Sequence, residues 1–249
     1  MPGLPFAPQM EGISISGHQF QVSTMQNQEF AGASKINTSF LTPLERRLAP
    51  VVIPKIPAWL ETHHLTMLTL IWSLLILLFS YLATTNIRWL WLVSAMIFLQ
   101  YVTDHYDGKV GKHRNTGLLR WGYYMDHLLD YFFLCSVIIG YAFILPDQSR
   151  YQLLFMLAIF GAYEMTTFLA FAATDRLKIS YLKLGPTEFR LSLIVINALL
   201  ITYGTRYMIS GLKYVNAGAV ITLCVLVYQT QKKIWQLDMQ HKATAEVEA

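Results

Sequence analysis

The sequence predicts an all-α integral membrane protein, a six-transmembrane-helix bundle with an N-terminal interfacial amphipathic helix. Three observations lead there. The 249 residues are 54% hydrophobic and only 14% charged, with a mean hydropathy of +0.39, which is a membrane rather than a soluble composition. Six apolar stretches, at residues 65–83, 87–103, 122–145, 151–173, 188–205 and 215–235, approach the roughly 20 residues a helix needs to cross a bilayer. With the N-terminus inside, all but four of the 19 Lys and Arg fall on the cytoplasmic side, the exceptions being Arg88, Arg150, Arg206 and Lys213.

Taken in order, residues 1–39 are rich in Gln, Ser and Gly without a sustained period and read as a flexible tail. They lack a basic start and an apolar core, so no secretory signal is expected. Thr42, Pro43 and Glu45 form a helix start, with Thr as N-cap and Pro at the first helical position. Pro50, Pro54 and Pro57 keep that helix short. Val51, Val52, Ile53, Ile56 and Trp59, mixed with Arg46, Arg47 and Lys55, make residues 40–64 an interfacial segment. The six-helix domain then runs over residues 65–237, followed by a C-terminal tail at 238–249. Cys135 and Cys224 lie in apolar spans and read as small buried hydrophobes. The net charge of +4 follows from topology and contact with anionic lipid, not from binding nucleic acid.

Four aspartates stand out in this charge-poor chain. Asp104, Asp107, Asp126 and Asp130 are four of only 15 acidic residues, and they lie beside or inside apolar stretches. Carboxylates at membrane depth need a cation or a proton as partner and mark a working site. The first pair is spaced i,i+3 and the second i,i+4, so each pair shares one helix face. Two facing carboxylate pairs make an all-oxygen site suited to Mg²⁺ or Mn²⁺. An EF-hand reading fails, because the intermediate acids and the closing Glu are absent.

Between the pairs, residues 107–121 read as a loop in which Gly108, Gly111 and Gly117 permit close backbone approach. Lys109, Lys112, His113 and Arg114 stand beside the metal site as a diphosphate cradle. Metal ions held by carboxylates neutralise charge on the attacking and leaving oxygens of an in-line phosphoryl displacement, which sets the reaction type. His127 follows Asp126 directly, and Glu164 sits in the middle of the fourth span. Glu164 can orient His127 and stabilise its charge, leaving the imidazole to take a proton from a lipid hydroxyl.

The segment DHYDGKVGKHRNTGLLRWGYYMDHLLD, residues 104–130, resembles the signature of the CDP-alcohol phosphotransferase family, DxxDGxxAR, a spacer of about eight residues and GxxxDxxxD. Asp104, Asp107 and Gly108 match its opening, and Gly122, Asp126 and Asp130 its close. Gly111 replaces the family alanine and keeps the small size. Lys112 replaces the family arginine and keeps the charge without the bidentate fork. The spacer, residues 113–121, is one residue longer than usual.

The resemblance implies a membrane enzyme that binds two divalent ions through Asp104, Asp107, Asp126 and Asp130. It implies a CDP moiety held by Gly108, Lys109, Gly111, Lys112, Arg114 and Gly122, and assembly as a homodimer. Asp130 takes the role of metal ligand, general base or both. The Asp126–His127 pair looks like that of the choline/ethanolamine phosphotransferase branch, whose members use the histidine as base and carry a Glu in the fourth span. Residues 187–190, Thr-Glu-Phe-Arg, are similar to a Thr-Glu-x-Gln element of that branch. Ahead of the first span only Leu65 and Thr66 match a family Pro-Asn-x-Ile/Leu-Thr element, and His63 and His64 receive no role.

The implied reaction transfers a phospho-alcohol group from CDP-ethanolamine or CDP-choline to diacylglycerol and releases CMP. A close alternative uses CDP-diacylglycerol as donor to a soluble alcohol such as inositol phosphate, glycerol phosphate or serine, for which Arg176, Lys178, Lys183 and Arg190 can form a basic pocket. A transporter with a cation site is a distant alternative, since the acids cluster at one end rather than along a path across the membrane.

Overall fold

The computed structural model describes residues 47, 49–174 and 186–248, so the helix start expected at Thr42–Glu45 and the residues Arg176, Lys178 and Lys183 lie outside the described residues. Among the described residues six long helices carry the fold: α1 (Thr62–Ala83), α2 (Leu90–Arg114), α3 (Leu119–Ile144), α4 (Arg150–Thr174), α5 (Pro186–Tyr203) and α6 (Arg206–Glu248). Residues 49–52 are helical and lead into a short 3₁₀ turn at Ile53–Lys55.

Local sequence fixes the ends. At the start of α1 the backbone N–H of Glu61 donates to His64 Nδ1 at 3.2 Å, the reciprocal half of a capping box. His64 therefore closes a helix end. The Asn86 side chain accepts from Arg88 N at 3.1 Å and turns the chain into the 3₁₀ segment Ile87–Trp89 that precedes α2. Pro186 opens α5, where a missing N–H is no loss. Gly204, at φ 75°, lets the chain leave α5 and enter α6.

The segment expected to be a loop from 107 to 121 is mostly helical. Helix α2 runs through Gly108 and Gly111 to Arg114, and stops at Asn115 in the left-handed conformation, φ 52°. Only residues 115–118 link it to α3. Gly111 serves a close approach of α2 to α1: a Cβ there would sit 2.9 Å from Thr62 Oγ1. Small residues bring α1 and α3 together in the same way, with Gly140 facing Ser80.

Helices α1, α2 and α3 form the centre of the bundle, with α5 against α2 and α6 against α4. Ile76, Leu90, Ile97, Phe133, Val137, Leu153 and Leu200 fill the core. A buried polar link crosses it, Tyr141 Oη donating to Asn197 Oδ1 at 2.9 Å and Asn197 Nδ2 to Ser94 Oγ at 3.1 Å. These polar groups satisfy one another, as an interior without water requires.

The outer faces are apolar. Leu154, Phe155, Met165 and Leu169 on α4 are all more than half exposed. Such a surface is suited to lipid, and the chain is an integral membrane protein. Four of the expected six spans meet the length and composition of a membrane-crossing helix: α1, α3, α4 with its preceding turn, and α6. The second expected span falls short because the end of α2 carries Asp104, Asp107, Lys109, Lys112 and Arg114, and the fifth because α5 has only 18 residues and includes Glu188, Arg190 and Asn197. The segment expected as a C-terminal tail continues α6 as helix to Glu248.

Candidate active site and metal centre

The end of the bundle where α2 finishes and α3 begins gathers the acidic residues. Asp104 and Asp107 project from the last turns of α2, Asp126 and Asp130 from the first turns of α3, and the short link holds the two pairs in register. One oxygen each of Asp104, Asp126 and Asp130 lie within 4.8 Å of one another, the one such group of acids, histidines or cysteines among the described residues. Ligand oxygens around Mg²⁺ or Mn²⁺ stand about 3–4 Å apart when each is about 2.1 Å from the ion. The three carboxylates, hard anionic donors on two neighbouring helices, can therefore hold a divalent metal.

Asp107, expected beside the others, is outside that group. It is buried, and its Oδ2 accepts from Thr66 Oγ1 of α1 at 2.8 Å, while Oδ1 faces the N–H of Gly108.

Two residues join the site that the spacing alone did not assign to it. Arg190, on the first turns of α5 and only 4% exposed, places Nη2 2.7 Å from Asp130 Oδ1 and 3.1 Å from Asp104 Oδ2. Its guanidinium also lies 5.6 Å from the Phe133 ring centre. Gln100, fully buried on α2, donates from Nε2 to Asp130 Oδ1 at 3.2 Å. Both carried a signal. A cation in an apolar helix needs an anion, and Gln100 stands on the same face as Asp104 and Asp107 at helical spacing. Neither signal names the partner, which lies 60 and 30 residues away respectively.

His127 sits beside the acids with its ring fixed. Nδ1 lies 2.8 Å from the carbonyl oxygen of Tyr123 and 3.7 Å from Asp126 Oδ2, and the ring packs on Tyr123 and edge-on to Phe168. An imidazole nitrogen against a carbonyl oxygen must carry the proton. The expected Glu164–His127 pairing is not the one formed: the hydrogen bond of His127 goes to Tyr123, and Glu164 is half-buried on α4 without a hydrogen bond to the ring.

The expected diphosphate cradle divides. Gly108 and Gly122 face open space, with nothing within 4 Å of an added Cβ. Gly111 is occupied in packing against Thr62. Lys112 is exposed, and Lys109 pairs with His105 Nε2 while lying 5.7 Å from the Tyr106 ring centre. Arg114 turns away from the acids. Its Nη1 donates to the carbonyl of Leu60 at 2.8 Å, and its Nη2 to those of Ile56 and Pro57 at 2.9 and 3.1 Å, so it clamps the chain ahead of α1 onto the end of α2.

No curated protein and no solved structure matches this chain. A model of the CDP-alcohol phosphatidyltransferase family matches residues 62–229, a span that holds all four aspartates, His127 and Arg190. Members of this family are transferases of phosphate-containing groups that act on CDP-alcohol and lipid substrates in phospholipid synthesis, and they typically depend on a divalent metal. With about two thirds of its length matched, this chain belongs to the CDP-alcohol phosphatidyltransferase family.

Proposed function

We propose that the protein transfers the phospho-alcohol group of CDP-ethanolamine or CDP-choline to the hydroxyl of diacylglycerol, as in the choline/ethanolamine phosphotransferase branch. The observation that carries this reading is the convergence of Asp104, Asp126 and Asp130 oxygens next to a histidine whose ring is already oriented. With Nδ1–H directed at the Tyr123 carbonyl, Nε2 carries the lone pair and can accept a proton. In the reaction His127, or Asp130 in its place, takes the proton of the lipid hydroxyl. The oxygen then attacks the phosphorus bearing the alcohol, a new P–O bond forms, and the bond to the CMP phosphate oxygen breaks. Asp104, Asp126 and Asp130, with Asp107 one turn along α2, would hold divalent ions, which would supply charge neutralisation at the diphosphate and the leaving oxygen. Gly108 and Gly122 leave room for the CDP moiety, with Lys109 and Lys112 at its edge.

Glu164 is half-buried on α4, close enough to Asp130 to feel its charge, and it acts on the site without a direct bond to His127. The excess of Lys and Arg on one side supports six crossings, a cytoplasmic active site and cytoplasmic termini. The exposed apolar faces of α4 and α6 leave surface for a homodimer. The alternative with CDP-diacylglycerol as donor calls for a basic acceptor pocket. Of its four candidate residues Arg190 is engaged with Asp104 and Asp130, and Arg176, Lys178 and Lys183 lie outside the described residues.

Purified protein in detergent with Mn²⁺ or Mg²⁺ tests both. CMP release from CDP-ethanolamine or CDP-choline with diacylglycerol is expected. Release only from CDP-diacylglycerol with a soluble alcohol overturns the choice of donor, and no release from either overturns the catalytic reading.

A further inference from the structure

Arg190 reaches the acidic cluster from a helix far away in sequence, and it does so with a single terminal nitrogen. Nη2 lies within hydrogen-bond distance of Asp130 Oδ1 and Asp104 Oδ2, two of the three residues that close the group. The guanidinium is buried, and Phe133 lies against it. Its Nε is buried too and has no hydrogen-bond partner among the described residues. Arg190 is thus a fixed positive charge inside the donor set, with a buried Nε–H that no acceptor meets among the described residues.

Two consequences follow from charge alone. An arginine keeps its proton at any working pH, so this cation cannot be removed by deprotonation. A divalent ion at the same carboxylates meets repulsion from the guanidinium at short range, in surroundings that screen poorly. It also has to share, or take over, oxygens that already accept from Nη2. A cluster with three carboxylates and no resident cation binds such an ion more tightly than one that carries its own.

We infer that Arg190 is the resident cation of the carboxylate cluster and holds down its affinity for a free divalent ion. The ion is then bound firmly only together with a diphosphate, whose own oxygens complete the coordination and whose charge offsets the repulsion. The unpartnered Nε–H, and Nη2 once released, are donors for an oxygen of that diphosphate. Arg190 is in this sense a positioning residue that ties metal occupancy to the arrival of the donor. The inference rests on the proposed metal site.

The test measures Mn²⁺ binding directly, by electron paramagnetic resonance of free Mn²⁺ over the full-length protein in detergent, with Mn²⁺ as the only ligand added. Wild type is expected to bind weakly. Arg190→Gln is expected to bind about tenfold more tightly, because repulsion is removed and two carboxylates are released. Arg190→Lys, which keeps the charge on a shorter side chain without the planar fork, is expected to fall between. A residue that merely shaped the site would give the opposite sign, since its loss would weaken binding.

Thermal unfolding gives a second readout. In EDTA, Arg190→Gln unfolds at a lower temperature than wild type, and Mn²⁺ raises its midpoint by more than it raises that of wild type. Unchanged or weaker Mn²⁺ binding in Arg190→Gln overturns the inference, and Arg190→Lys decides by the same criterion if Arg190→Gln does not fold. Absence of Mn²⁺ binding at millimolar concentration in wild type and both variants overturns the metal site itself, which is a separate result.

Discussion

Thr66 Oγ1 lies 2.8 Å from Asp107 Oδ2, so the first helix of the bundle hydrogen-bonds to a signature carboxylate on the second. Both groups are buried. The contact joins the entry of α1 to the acidic end of α2 and explains why a threonine here is more than a packing residue. Thr66→Val removes the donor at nearly constant volume and leaves a buried carboxylate short of one partner, at a cost of about 1–3 kcal/mol. A lower unfolding midpoint in detergent, restored by Thr66→Ser, is the expected result.

Asp107→Asn keeps the hydrogen bond from Thr66 and removes the negative charge. CMP release is expected to disappear while the protein remains monodisperse in detergent. Substantial residual turnover would show that Asp107, which stands apart from the three clustered acids, takes no part in holding the metal.

His127→Ala is expected to lower turnover by roughly 10²–10⁴-fold, the usual contribution of a general base, with a much smaller effect on donor binding. Steady-state kinetics on the purified variant separate the two. Unchanged turnover would transfer the base role to Asp130.

Arg114→Ala removes a guanidinium that donates to the carbonyls of Ile56, Pro57 and Leu60. Loss of such charged hydrogen bonds costs about 1.5–3 kcal/mol each at most, and less where water replaces them. Faster proteolysis within residues 53–60, with Mn²⁺ binding kept, is the expected outcome. A loss of CDP-alcohol binding with residues 53–60 still protected would instead place Arg114 with the substrate cradle.

Gly140→Ala introduces a Cβ that would lie 2.5 Å from Ser80 Oγ and 2.9 Å from its Cβ. The helices α1 and α3 must separate, at about 1–3 kcal/mol. A lower unfolding midpoint is expected, and Ser80→Gly in the same chain should recover most of it.

The four aspartates could be read from spacing because helical periodicity converts i,i+3 and i,i+4 directly into a shared face, and three of them do meet. The fate of Asp107 could not, since it depends on Thr66 of another helix. The glycines at 108 and 111 suggested a loop. Local propensity was overridden by packing of α2 on α1, where the small residue at 111 permits the contact. Arg190 and Gln100 announced themselves as polar residues in apolar runs, but their carboxylate partner was fixed only by the way α5 packs on α2 while α2 and α3 both pack on α1. Glu164 and His127 look complementary as side chains. The carbonyl of Tyr123, one turn back on the histidine's own helix, is simply nearer, and a backbone acceptor leaves no mark in a sequence.

The tight junction at residues 115–118 has a mechanical meaning. A bridge of four residues, folded back through Asn115 and Gly117, allows the two acid-bearing rods almost no axial slip. Changes in bilayer thickness or tilt must then be absorbed by the outer helices, and the spacing of the donor oxygens is insulated from the lipid it serves.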